Sequence, residues 1–279
     1  MMEGILVFVS GSSGAGKNSV INGVIDKNPR KCKFLVSNTT REKRASDKKK
    51  GQYHFISKEQ FEEKIAAGEI LEYDVYNGNY YGLGIDEVET SVMTGRVCFK
   101  DLTVKGVLNS KEILSDKHKQ VNVFVTERKK VLRERLIYRG EKKENIKNRL
   151  KLYSVEQKMS RHYDYIIYNT ILKDSIDQLE SVVNTEYDNL PILTNVSTLR
   201  INAKRIDKVA LKLRAGKVLK PIKVMEHDGR IYITEGVNTY LAGLQAGILV
   251  TKQFENKHEK LNKDINQDEW MKIVESYRK

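Results

Sequence analysis

Seven consecutive residues, Gly11, Ser12, Ser13, Gly14, Ala15, Gly16 and Lys17, come directly after an apolar run at 5–9. Three glycines at that spacing let the backbone curl until several N–H groups point at one place, which is how a peptide cradles phosphate oxygens. Lys17 adds a point charge suited to β and γ phosphates, and a helix beginning here aims its positive end at the same spot. An ordinary strand-to-helix turn also uses glycine. Here a strand precedes the loop, the spacing of Val20, Ile21, Val24 and Ile25 predicts a helix after it, and the lysine falls in register, so the context for nucleotide binding is complete. Asn18 occupies the position where this motif places a Ser or Thr whose hydroxyl ligates the Mg²⁺ bridging the phosphates. Ser19, in the same first helical turn, is rotated about 100° away. An amide oxygen can ligate a hard cation. Asn18 is therefore the candidate metal ligand, and its identity bears on the rate of catalysis more than on nucleotide binding.

A second group of residues follows at 34–56, where alternation predicts short strands. Its basic run at 41–50 would, standing alone, read as a solvated loop. Arg41, Arg44 and Tyr53 are nevertheless spaced along a strand-rich segment, and guanidinium forks with a phenol hydroxyl suit the terminal phosphate of a nucleoside monophosphate. Ser57 and Gln60 have capping-box spacing and open a helix with Phe61 and Ile65 on one face, which Gly68 can end. The segment 69–76 then reads as a strand, on which a carboxylate such as Glu72 is unusual if both faces are covered. A carboxylate there can accept hydrogen bonds from N1–H and the 2-amino group of guanine, a donor pair that no other common base presents.

Taken together, 11–17, Ser37 with the following residues to Arg41, Arg44, 53–55, Glu72 and 78–82 resemble the guanylate kinase family in order and spacing, over about residues 1–187. The resemblance implies an α/β P-loop fold with a parallel core sheet, a small GMP-binding subdomain and a helical lid. It implies transfer of the γ-phosphoryl group of ATP to GMP with Mg²⁺. It also implies that Arg41, Arg44, Tyr53 and Tyr81 hold the GMP phosphate, that Ser37 and Glu72 read the guanine, and that Asp101 lies near substrate and metal. The lid would be 129–151, where Arg135, Arg139 and Arg149 match arginines that close over the phosphates and join Lys17 and Arg41 as the catalytic set. Asn169 matches the adenine side. Four positions depart from the family pattern: Asn18, Leu83 where a hydroxyl usually touches the base, Thr103 in place of a second acidic residue, and Thr170 in place of an aspartate.

At 279 residues the chain has room for two domains, and 39% hydrophobic with 31% charged residues is ordinary for a soluble globular protein. No apolar run approaches the length that spans a bilayer, and the amino terminus leads into a strand without a cleavable signal, so the cytoplasm is the expected compartment. Cys32 and Cys98 are too few for a disulfide framework, and His54, His118, His162, His227 and His258 have no metal-ligand spacing. From residue 200 onward there are 17 Lys and Arg against 10 Asp and Glu, which accounts for +7 of the net charge of +13 and suggests a polyanionic partner.

The stretch 188–198 contains Pro191 and reads as a linker, with a second domain at 199–279. There Val209, Leu211 and Leu213 suggest a helix, Asp228-Gly229 signals a two-residue hairpin, and a helix with Tyr240, Leu241 and Leu244 ends at Gly247. The pattern resembles the small α+β ParB-like, sulfiredoxin-related family, although the polar turn at 235–239 lacks the usual arginine or histidine. Glu235 and Asn238 are its candidate functional residues, and DNA or protein binding is the expected role. A terminal helix carries Trp270, Ile273, Val274 and Tyr277 on one face, with Trp270 docking it. Two alternatives stand beside the kinase reading: a kinase for a modified nucleotide or DNA-bound acceptor, and a degenerate nucleotide-binding scaffold.

Overall fold

The computed structural model describes residues 4–43, 53–76, 78–189, 192–196, 201–255 and 266–278. Along the chain the first elements are β1 (Ile5–Ser10), α1 (Lys17–Lys27), β2 (Cys32–Phe34), β3 (Ser37–Thr39), β4 (Tyr53–Phe55), α2 (Lys58–Ala66), β5 (Ile70–Tyr76) and β6 (Asn79–Gly84). Next are α3 (Ile85–Val92), β7 (Val97–Asp101), α4 (Val104–Leu114), β8 (Gln120–Thr126), α5 (Lys129–Tyr138), α6 (Lys143–Lys151) and α7 (Tyr153–Met159). The remainder comprises β9 (Tyr165–Tyr168), α8 (Leu172–Tyr187), β10 (Leu193–Thr194), α9 (Ala203–Arg214), β11 (Ile222–His227), β12 (Arg230–Glu235), α10 (Val237–Ala246), β13 (Lys252–Phe254) and α11 (Gln267–Tyr277). They divide into two compact units, Met1–Ser10 with Ile25–Asn122, and Gly11–Val24 with Val123–Lys279.

In the first unit β1, β7 and β2 run parallel, with Val9 beside Asp101. Every residue of β1 is buried, as the continuous apolar run requires of a strand covered on both faces. A separate four-stranded sheet has the order β4-β3-β6-β5, in which β5 and β6 form an antiparallel pair. The predicted capping box opens α2: Ser57 Oγ accepts from Gln60 N at 3.1 Å and Gln60 Oε1 accepts from Ser57 N at 2.9 Å. Gly68 follows α2 at φ 69°, where a side chain would be strained.

In the second unit the strand order is β10-β12-β11-β13-β9-β8. The sheet is mixed rather than purely parallel, because β11 and β12 form an antiparallel hairpin. Its turn residues Asp228 and Gly229 have φ of 47° and 72°, the geometry an Asp-Gly pair supplies. β13 pairs in parallel with β9, so strands drawn from the carboxyl-terminal third continue the sheet beside the strand that leads to Asn169. Within the stretch read as a linker, Leu193 and Thr194 form β10 against β12. Helix α9 buries Ile206, Ala210 and Leu213 while Leu211 is 65% exposed, so its apolar face follows helical spacing and not the alternation of Val209, Leu211 and Leu213. Trp270 is fully buried, and its Nε1 donates to the Ile192 carbonyl at 3.0 Å, which docks α11. Among the described residues no helix is long and apolar enough to cross a membrane.

Lys252 of β13 is buried against this same strand β9. Its Nζ lies 4.5 Å from the Tyr165 ring centroid, and Tyr165 Oη donates to Glu186 Oε1 at 2.6 Å. Burial pushes the Lys252 pKa down, while Glu186 and Asp164 push it up. Removing one member of a buried charged group is costly because the others stay desolvated. Lys252→Met is expected to lower stability by about 3 kcal/mol, read from urea unfolding; an unchanged midpoint would show that the amine adds nothing.

Candidate active site

The loop after β1 has the shape its glycines predict. Gly11, Gly14 and Gly16 have φ of 139°, 85° and 85°. At Gly11 a Cβ would stand 1.8 Å from the Val125 carbonyl oxygen, and at Gly16 one would stand 2.6 Å from Asn169 Nδ2, so both positions are closed to side chains. Lys17 Nζ donates to the Gly11 carbonyl at 2.9 Å, which folds the ammonium back over the loop. Asn18 and Ser19 are exposed in the first turn of α1.

Residues distant in sequence surround this loop. Asn169 Nδ2 donates to the Ala15 carbonyl at 2.7 Å, and its buried Oδ1 has no hydrogen-bond partner. Arg135 donates to the Asn169 carbonyl at 2.6 Å, and Arg149 donates to Ser13 Oγ at 2.9 Å while pairing with Glu141. Arg139 is exposed at the end of α5. Two neighbours on α7 carry no sequence signature. Gln157 Nε2 donates to Thr126 Oγ1 at 2.5 Å and reaches Ser12 Oγ at 3.5 Å. Glu156 is held above the ordinary carboxylate range by burial, against the Ser12 hydroxyl and the Lys17 charge. Thr170, one of the departures, donates to buried Glu127. Burial opposes ionisation of Glu127, but the Arg128 N–H, the Thr170 hydroxyl and the Arg128 charge outweigh it, and its pKa lies below the usual value.

The first unit holds the other candidates in two groups. On the small sheet, Tyr53 and Tyr81 meet edge to face at 5.8 Å, and the Arg41 guanidinium stands 5.5 Å from the Tyr53 ring. Arg44 lies outside the described residues. The second group is a polar cluster in which Lys100 and Ser37 are buried, Glu72 and Asp101 half-buried and Thr103 exposed. Lys100 Nζ donates to Ser37 Oγ at 2.5 Å and to the Leu35 carbonyl at 3.1 Å, and burial lowers its pKa. A lysine directly after the apolar Val97, Cys98 and Phe99 of β7 was the visible signal for it. Glu72 lies near Lys100 and Asp101, and Thr103 Oγ1 donates to Glu72 Oε2 at 3.2 Å. Burial pushes the Glu72 carboxyl up to about 7, against the pull of Thr103 and Lys100. Leu83, paired with Glu72 across β5 and β6, is only 1% exposed, so its side chain belongs to the core.

The family model for guanylate kinase matches residues 3–186. This chain belongs to the guanylate kinase family. It is 31% identical over 186 residues to the guanylate kinase of Lactiplantibacillus plantarum, covering 66% of this chain and 89% of that protein. Against the guanylate kinase of Campylobacter jejuni it is 32% identical over 202 residues, covering 70% and 98%. The crystal structure of guanylate kinase from Anaplasma phagocytophilum shares the fold, with a TM-score of 0.50 and 23% identity over 67% of this chain and 88% of that one. The guanylate kinase match ends one residue before α8 does.

Folding raises the Glu72 pKa above its ordinary 4.5, so the folded state favours the protonated form. Its contribution to stability is full below pH 4.5 and is lost as pH rises toward 7. Glu72→Gln is therefore expected to leave stability at pH 4 unchanged and to raise it at pH 8 by on the order of 2 kcal/mol, discounted for partial solvent access. Denaturant unfolding at the two pH values checks this; equal effects at both would contradict it.

Proposed function

We propose that the chain transfers the γ-phosphoryl group of ATP to GMP. The observation that carries the choice of acceptor is Glu72, a partly enclosed carboxylate whose oxygens suit the paired donors of guanine. Ser37 adds a hydroxyl bonded to Lys100, whose charge reaches Glu72, and Asp101 adds a second carboxylate. In this reading Arg41, Arg44, Tyr53 and Tyr81 hold the acceptor phosphate. Lys17 and the loop N–H groups of residues 11–19 hold the donor phosphates, and Asn169 the adenine. Phosphoryl transfer needs positioning and neutralisation of charge more than covalent chemistry, so no protein nucleophile is required. A GMP phosphate oxygen attacks in line while Arg41, Arg135, Arg139 and Arg149 reduce the repulsion between two anions. Arg135 and Arg149 already reach the loop and its neighbour Asn169.

The donor set also suits Mg²⁺. A cation that is held by one or two protein oxygens plus phosphates and water needs only a ligand such as the exposed Asn18 amide. When bound there, Mg²⁺ would supply neutralisation of phosphate charge. Asn18→Ser is expected to raise the Mg²⁺-dependent kcat with GMP affinity little changed. The main test is ADP release with GMP, dGMP, other monophosphates and DNA as acceptors. GMP should be preferred, and Lys17→Ala should abolish turnover; stimulation by DNA alone, or by no acceptor, would overturn the assignment.

For residues 199–279, after the linker at 188–198, we propose a ParB-like module with Glu235 and Asn238 at its strand-to-helix turn and a polyanion as partner. Asn238 Oδ1 accepts from Asn202 N at 2.9 Å, which ties that turn to the start of α9. Lys204, Arg205, Lys208 and Lys212 are exposed on α9, and helical geometry places them on one side. Duplex DNA should be retained in a salt-dependent way and lost when these four become Glu; equal retention would exclude the role. Two buried cysteines, neither in a disulfide, fit the cytoplasm we assign.

A further inference from the structure

We propose that Gly106 and Thr103 are positioning residues that lock the Glu72 side chain in the orientation that reads the acceptor base. The inference rests on the guanine-reading role given to Glu72 above. Thr103 is the N-cap of α4, with φ −67° and ψ 164°. Its Oγ1 accepts from Gly106 N at 3.0 Å, which commits the hydroxyl lone pair and turns its proton toward Glu72 Oε2, 3.2 Å away. The Thr103 N–H and the Lys100 charge also favour the ionised carboxylate. The beginning of α4 thus grips Glu72 from one side.

Gly106 supplies the space. A Cβ built there would stand 1.6 Å from Glu72 Oε2 and 2.4 Å from its Cδ, so no side chain fits while Glu72 is seated. The backbone does not ask for glycine, since Gly106 lies inside α4 and is absent from the positive-φ positions among the described residues. Gly106 is the third residue of α4, in its first turn, where glycine still loses more backbone freedom on folding than alanine does. All three of the nearest atoms a Cβ would meet belong to the Glu72 carboxylate. That carboxylate is the end of a flexible side chain, so it can swing aside at little cost to folding. Position 106 is then held as glycine for the sake of where Glu72 points, and stability and function respond to its replacement with opposite signs.

Gly106→Ala is the decisive variant. Its melting temperature should be equal or higher, its KM for GMP about tenfold higher or more, its KM for ATP unchanged, and its preference for GMP over other monophosphates reduced. Thr103→Val should shift the acid limb of the kcat/KM profile for GMP to higher pH, because the ionised carboxylate loses a donor, and Thr103→Ser should restore it. A Gly106→Ala enzyme with KM for GMP within about twofold of the parent would overturn the proposal. Glu72→Gln separates the two levels. If it loses the base preference while Gly106→Ala keeps it, the positioning role alone falls; if it keeps the preference, the guanine-reading role falls as well.

Discussion

A carboxylate that accepts two N–H donors must be charged, and taking it out of water works against that charge. The first unit is arranged around this opposition at Glu72. Burial drives the group toward protonation, and the Thr103 hydroxyl, the Thr103 N–H and Lys100 oppose it. Lys100 is itself a buried cation whose ammonium is taken up by the Leu35 carbonyl and the Ser37 hydroxyl. The outcome is a group poised near neutrality rather than a permanently ionised one. In the function proposed above, a guanine that supplies two further donors would complete the stabilisation, so that recognition and ionisation would be one event, and the strand that carries Glu72 would set the pH range in which the base is read.

The phosphate loop faces the inverse problem, since it offers donors that only an anion can use well. Glycine at 11 and 16 is demanded by close neighbours, the Val125 carbonyl and the Asn169 amide. Asn169 is fixed through its side chain to Ala15 and through its carbonyl to Arg135. The arginines of α5 and α6 are therefore part of the framework around the loop as well as sources of charge.

What could be read from the chain followed from how local its causes are. The loop at 11–17, the capping box at Ser57 and the Asp228-Gly229 turn declare themselves because each depends on residues within a few positions of one another. Glu72 was visible as a carboxylate within a stretch that reads as a strand. Gly106 was not, because its neighbour lies 34 positions away and a glycine in the first turn of a helix has no local signature. Glu156 and Gln157 escaped for the same reason, as two polar residues on a short helix with no motif. The pairing of β13 with β9 is a parallel contact across more than 80 residues, and periodicity contains no information about partners so distant.

That pairing has a consequence beyond the site. A strand left at the margin of a sheet displays a row of backbone donors and acceptors that a second chain can join. With β13 laid along it, β9 is enclosed between two neighbours, and the margin passes to β10, only two residues long. The carboxyl-terminal third thus works as a hem: it moves the sheet's border to a buried two-residue segment whose Thr194 N–H and carbonyl are already taken up by the Gln267 side chain, which leaves a second chain few backbone groups to join.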